Sequence, residues 1–204
     1  MAGRPKKTDA FLDVEAIVAG AWRIVDREGV DALSTRSLAA ELGVKGPALY
    51  WHVRNKQSLF SLMTERLLLD SFAAADGTGG WDDWMLAAGR SLRASFLSRR
   101  DSGRIAASAP PTERMGGAIM PRLVGPLTDA GFAARDATAA GGTLASLVLG
   151  WVIYEQSEEA ARLIHSMVDP DEAFEFGLSS LVAGLRITLP AGRRAMDRGE
   201  AAKA

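Results

Sequence analysis

Apolar residues return at helical spacing along nearly the whole chain, and no stretch alternates with the period of two that marks a strand. The pattern predicts an all-α protein. Val14, Ile17, Val18, Ala21, Ile24 and Val25 line one face of a first helix, with Asp13 as N-cap, Glu15 in the first turn and Gly29 closing it. Trp22 in that helix reads as packing. Leu38, Ala39 and Leu42 share a face of a second helix over 35–42, capped by Ser34 and closed by Gly43 in a left-handed conformation. Pro47 suits the first turn of a third helix over 46–52, in which Leu49 and Val53 turn inward and Val44 fills the angle between the two helices.

Asn55 caps a fourth helix over 56–73, with Leu59, Leu62, Met63 and Leu67 beside a more polar side at Arg66 and Asp70. No linker separates it from the three before, so it can act as a lever. The glycine-rich stretch 75–80 is the clearest break in the chain. A fifth helix over 81–98 carries Trp84, Leu86, Ala88, Leu92, Phe96 and Leu97, and a turn comes after it at 99–103. Residues 105–109 form a short piece stopped by Pro110 and Pro111. Thr112 caps a helix to Ala130, closed by Gly131 and kinked or shortened by Pro121 and Pro126. The span 135–157 is apolar nearly all round and should be central. Residues 158–167 form a polar-faced helix. Asp169 and Pro170 then open a last helix that should end at Pro190, with a mobile tail beyond.

That last helix has two stripes. Phe174, Leu178, Leu181, Leu185 and Thr188 form one; Ala173, Gly177, Ser180 and Gly184 form another of small residues. Small residues admit a second helix closely. Beside the long apolar helix they predict a two-fold interface through Leu147, Trp151, Tyr154, Phe174, Gly177, Leu178, Leu181, Gly184 and Leu185. Tight packing inside one protomer is the other reading.

The third helix has a face that packing alone does not explain. Tyr50, Trp51 and His52 are consecutive, so they cannot all point inward, and they lie near Lys45, Arg54 and Lys56. Exposed aromatics and an imidazole beside cations suit a helix lying in a DNA groove. A core aromatic cluster with a solvated edge is the plainer alternative, and the helix–glycine–helix frame favours DNA.

Composition narrows this only in part. Residues 1–56 hold 9 Lys and Arg against 7 Asp and Glu, and residues 57–204 hold 15 against 18. The sign suits DNA at the N-terminal end, but the margin is small. Arg4, Lys6 and Lys7 could form an arm that meets phosphates or the minor groove; a disordered tail is equally compatible. The chain has no cysteine, hence no disulfide, which fits a reducing cytoplasm. No apolar signal core comes after the basic start, and no stretch nears about 18 uninterrupted apolar residues, so no membrane partner is expected. Of the two histidines, His52 lies in the third helix and His165 in a polar one, and no metal-ligand spacing or phosphate cradle is present. No catalytic residue, metal or cofactor is nominated.

The run from Leu33 to Phe60 resembles the helix-turn-helix of the tetracycline-repressor (TetR) family. Thr35-Arg36, Leu38-Ala39, Leu42-Gly43-Val44, Leu49-Tyr50, His52-Val53 and Asn55-Lys56 carry the likeness. The tetrapeptide Tyr50-Trp51-His52-Val53 is similar to the tetracycline-repressor branch itself. The likeness extends through Arg100-Asp101, Pro111-Thr112-Glu113, Ala130-Gly131-Phe132 and the run from Leu149 to Gln156.

The resemblance implies an all-α homodimer. Residues 1–55 would bind operator DNA; residues 56–204 would link, hold a small-molecule effector and dimerise. Thr35, Arg36, Tyr50, His52 and Lys56 would hold phosphates, with Arg36 also in reach of a base. Pro47 and Ala48 would make apolar base contacts, and Lys45, Gly46 and Trp51 complete the DNA set. The effector would lie among Phe72, Trp84, Ala88, Leu92, Phe96, Ile105, Met115, Ile119, Leu123 and Trp151, each of which plain core packing would also explain. Two departures matter. Where the branch holds a magnesium–drug chelate with histidines and other polar groups, this chain has Phe72, Ala88, Leu92 and Ala106. An apolar or aromatic effector without metal is therefore expected. Gly46 and Ala48 stand where the branch reads bases, so the tetracycline operator should not be recognised. The chain reads as a ligand-released repressor; the alternative is a small-molecule-binding helical bundle whose DNA specificity is weak or lapsed.

Overall fold

The computed structural model describes residues 12–75 and 79–201, with side chains as far as Ile187 except that of Ala74. The basic-arm residues Arg4, Lys6 and Lys7, part of the 75–80 break, and the Thr188 side chain lie outside the described residues.

Among the described residues every regular element is helical and there is no strand. Asp13 opens α1 (Val14–Glu28), its carboxylate accepting from the Ala16 N–H at 2.7 Å, and Gly29 ends it at φ 88°. A short 3-10 turn leads to α2 (Thr35–Leu42). Ser34 and Ser37 cap this helix reciprocally, and Gly43 ends it in the left-handed region at φ 66°. A Cβ at Gly20 would lie 2.7 Å from a Leu42 methyl, so this glycine sets how closely α1 and α2 cross.

The third helix is shorter than its sequence predicts. α3 covers only Gly46–Tyr50, and Trp51 and His52 form a turn. The cause lies just downstream. Val53 is buried, and Asn55 must turn to cap α4 (Lys56–Ala74) through the Ser58 N–H at 2.8 Å.

The bundle then comprises α5 (Trp81–Leu97), α6 (Ser102–Ala107), α7 (Met120–Asp129), α8 (Ala134–Gln156), α9 (Glu158–Met167) and α10 (Pro170–Ala201). The expected turn at 99–103 is tighter, with Asp101 left-handed at φ 56° and α6 starting at Ser102. The span 112–130 is broken by a π-helical turn at Met115–Ile119 ahead of Pro121. Pro121 cannot donate to the carbonyl four residues back, and the wider turn absorbs the misfit. Pro126 is carried inside α7.

Two expectations about the last helices change. α8 is not surrounded. Ala137, Ala140, Gly141, Leu144, Val148 and Val152 are buried against neighbouring helices, whereas Gly142, Thr143, Ser146, Ile153 and Tyr154 face outward. By length and composition α8 is also apolar enough to cross a membrane, with hydropathy 1.4, although no such stretch was expected. One face of it packs on α5, α6, α7 and α10, and 33% of the apolar window is buried. α10 runs through Pro190 rather than ending there; one proline removes one donor from a long ladder. Its start is as expected, Asp169 accepting from the Asp171 N–H at 2.8 Å and the Glu172 N–H at 3.1 Å. Arg93 knits α5 to α8 and α10, 2.7 Å from Glu155 and 2.6 Å from Asp171.

Candidate nucleic-acid interface, cavity and outer face

Leu49 and Val53 fix the α2–α3 unit to the core, and that anchoring leaves the rest of the short helix outside. Tyr50 is 56% and Trp51 90% exposed. Arg36, Lys45, Pro47, Ala48, His52 and Arg54 are exposed as well, and Thr35, Gly46 and Lys56 are half-buried. Thr35, Arg36, Gly46 and Tyr50 meet around one shallow hollow with Ala39, Leu49 and Val53 at its floor.

The cations of this face are uncommitted. Arg23, Arg27, Arg66, Arg90, Arg93, Arg99, Arg104 and Arg186 each hold a carboxylate. Among the described residues, the side chains of Arg36, Lys45 and Arg54 hold nothing. Lys56 differs: its ammonium donates to the Val30 carbonyl at 2.9 Å and lies 5.6 Å over the Phe60 ring. That contact ties the start of α4 to the unit before it. Glu41 is held below the usual carboxylate range by a hydrogen bond from Arg23, with Arg27 adding to it, and so pins α2 to α1.

Beside its packing along α4, where Arg66 pairs with Glu15, the unit meets the bundle at one corner. The Asp101 carboxylate accepts from the Val30 N–H at 2.8 Å. Arg104 reaches Asp31 at 3.2 Å; Arg99 reaches Asp26 at 2.8 Å and lies over the Trp22 ring. The same corner is held from behind by α8: Gln156 donates to the Arg99 carbonyl at 2.7 Å and accepts from the Gly103 N–H at 3.0 Å. Neither Asp101 nor Gln156 is a nominated site residue, and only membership of the resemblance marks singles them out.

Inside the bundle is a cavity of about 210 Å³. Of the ten nominated effector residues, Phe72, Leu92, Phe96, Met115, Ile119 and Leu123 line it. Trp84, Ala88, Ile105 and Trp151 do not. Ala88 and Ile105 are wholly buried in packing elsewhere, Trp84 stacks on Phe72 at 6.4 Å from outside the wall, and Trp151 is half-buried on another flank of α8. The rest of the wall is Thr64, Leu68, Ala106, Met120, Ala145, Val148 and Leu149. Spacing held a signal for part of it, since Thr64, Leu68 and Phe72 lie four apart on α4. Among the described residues no cluster of His, Asp or Glu has the arrangement of a metal site.

The nominated two-fold interface divides. Phe174 and Leu178 are buried in their own protomer, Phe174 under the Arg93 guanidinium at 4.8 Å and Leu178 against Gly89, so neither can meet a partner. Leu147, Trp151, Gly177, Leu181 and Leu185 are half-buried; Tyr154 and Gly184 are exposed. Two large apolar residues outside that set, Phe176 at 77% and Ile187 at 79% exposure, also face outward. With Ser180 and Ala183 between them they make one outward stripe along α10.

Comparison with known proteins gives concordant results. A model described as bacterial regulatory proteins, tetR family, matches residues 17–63, and one described as tetracyclin repressor-like, C-terminal domain, matches residues 73–166. The chain is 32% identical over 197 residues to the tetracycline repressor protein class A from transposon 1721 of Escherichia coli, covering 85% of this chain and 90% of that protein. Among solved structures, class A TetR in complex with 5a,6-anhydrotetracycline and magnesium superposes with a TM-score of 0.70 at 32% identity, covering 86% of this chain and 98% of the other. The Streptomyces coelicolor TetR family protein ActR in complex with (S)-DNPA superposes at 0.75 with 31% identity, covering 90% and 99%.

Proposed function

The chain belongs to the TetR family of bacterial regulatory proteins, and from that premise we propose that it is a homodimeric repressor released from a near-palindromic operator by a small, mainly apolar effector. The observation that carries the DNA reading is the set Arg36, Lys45 and Arg54, unpartnered beside exposed Tyr50, Trp51 and His52. In this reading residues 1–55 form the DNA unit and residues 56–204 the effector and dimer unit. Two copies of α3 enter successive major grooves. Arg36, Lys45 and Arg54, with Thr35, Tyr50, His52 and the remaining donors of Lys56, hold phosphates, while Pro47 and Ala48 touch bases.

Release would run through α4. Its N-terminal end holds Val30 through Lys56, and farther along Thr64, Leu68 and Phe72 wall the cavity. An effector that fits the cavity better when α4 is displaced draws the two DNA units out of register; equal affinity for both arrangements would shift nothing. Phe72 and Ala106 stand in that wall at positions that the family resemblance gives to histidines. The effector is therefore not a metal-chelated drug.

A second reading, a ligand-binding bundle with lapsed DNA specificity, has one observation behind it. A Cβ at Gly46 would meet nothing, so the protomer's own packing does not call for glycine at this bare position. Weak affinity that is identical for all duplexes would favour it.

Salt titration on duplex DNA tests the DNA reading. Arg36→Ala, Lys45→Ala and Arg54→Ala should each lower the slope of log affinity against log salt by roughly 0.9 per protomer. Arg122→Ala, which removes an unpartnered cation on α7, should leave it unchanged. Slopes equal to wild type in all three variants would contradict the assignment.

A further inference from the structure

The cavity contains one polar side chain whose bonding is incomplete. Ser61, Ser71, Thr138, Thr143 and Ser146 each donate to the carbonyl four residues back in their helix. That is the usual way a helical hydroxyl is satisfied. Thr64 does not do this. The residue is 4% exposed and lines the cavity, and its Oγ1 is buried with no hydrogen-bond partner. An unmatched buried hydroxyl is unfavourable, and a partner that arrives later recovers the deficit.

Water is a poor candidate for that partner. A buried water needs two to four polar neighbours, and the rest of the wall is side chains such as Leu68, Phe72, Phe96, Leu123 and Val148. A charged ligand fits no better, since no ionisable side chain lines the cavity and an unpaired charge would be buried there. The carboxylate next to Thr64 in sequence, Glu65, takes the Thr112 hydroxyl and faces the loop at 110–114 instead. Size sets the remaining limit. At about 210 Å³ the cavity is moderately larger than one of about 150 Å³ that accepts benzene.

We propose that Thr64 reads the effector's polar group, and that the effector is an uncharged molecule of one or two fused rings carrying a single hydrogen-bonding oxygen. This rests on the reading of the cavity as the effector site, and it makes Thr64 a specificity residue on the helix that leads to the DNA unit.

Calorimetric titration of the full-length protein with 1-indanone and with indane tests it, because the two probes share a skeleton and differ in one carbonyl. In Thr64→Val the preference for indanone over indane should fall about tenfold relative to wild type, while Thr64→Ser retains it. Unliganded Thr64→Val should melt above wild type, since an unmatched hydroxyl has been replaced by a methyl. An unchanged preference in Thr64→Val, or a lower melting temperature, overturns the role of Thr64. If wild type binds neither probe, or if Ala145→Phe, which fills the cavity, leaves binding intact, the effector-site reading fails and this proposal with it.

Discussion

Phe176→Glu combined with Ile187→Glu is expected to yield a folded monomer with operator affinity lower by about 10²–10⁴-fold. Both side chains lie almost wholly outside the protomer, at 77% and 79% exposure, on a stripe otherwise made of Ser180 and Ala183. Tyr154 and Ile153 on α8 add further outward apolar surface. Large exposed apolar residues beside small ones fit a two-fold helix pairing. A charge placed there costs the protomer little and the dimer much. The loss on DNA is large because the second half-site is bound at the high effective concentration that dimerisation provides. Light scattering reads the mass, and far-UV circular dichroism checks that the helices persist. A variant that remains dimeric would move the interface elsewhere.

Asp101→Ala is expected to lower the melting temperature by several degrees. It removes the acceptor that the Val30 N–H uses at 2.8 Å in a half-buried corner, at a cost of roughly 1–3 kcal/mol. For a chain of this length each kcal/mol moves the midpoint by about 2–4 °C. Asp101→Asn keeps an acceptor oxygen and should recover most of the loss. Asp101→Gly relieves the left-handed backbone at φ 56° but not the missing acceptor, so it should fall between alanine and wild type. The specific readout is amide exchange at Val30, which should accelerate in the alanine variant more than exchange at core amides such as that of Leu144. Unchanged Val30 exchange would mean that this corner does not join the DNA unit to the bundle.

Much of the architecture was legible because helix ends are local chemistry. Asp13, Ser34, Asn55 and Asp169 cap the helices they were expected to cap, and Gly43 is left-handed where the chain must turn. The misses are positions where a distant neighbour decides. α3 stops at Tyr50 because Val53 and Asn55 are needed elsewhere. On α10 the predicted partner face drew on both stripes, yet the bundle takes Phe174 and Leu178 inside, and Phe176 and Ile187, which belong to neither stripe, are left outward. Hydrophobicity alone could not separate cavity wall from core: Ile105 and Leu123 are alike in the sequence, but only Leu123 borders empty space. Nothing in the sequence marks Thr64, because a missing hydrogen bond leaves no trace there.

Selection of bound fragments from random duplex DNA by the full-length protein tests the central claim most directly. The account predicts an enriched near-palindrome whose half-sites lie about one helical turn apart, preferred about a thousandfold or more over non-specific DNA. An unenriched pool held only by salt-sensitive background would contradict it, and so would a winner with a single half-site.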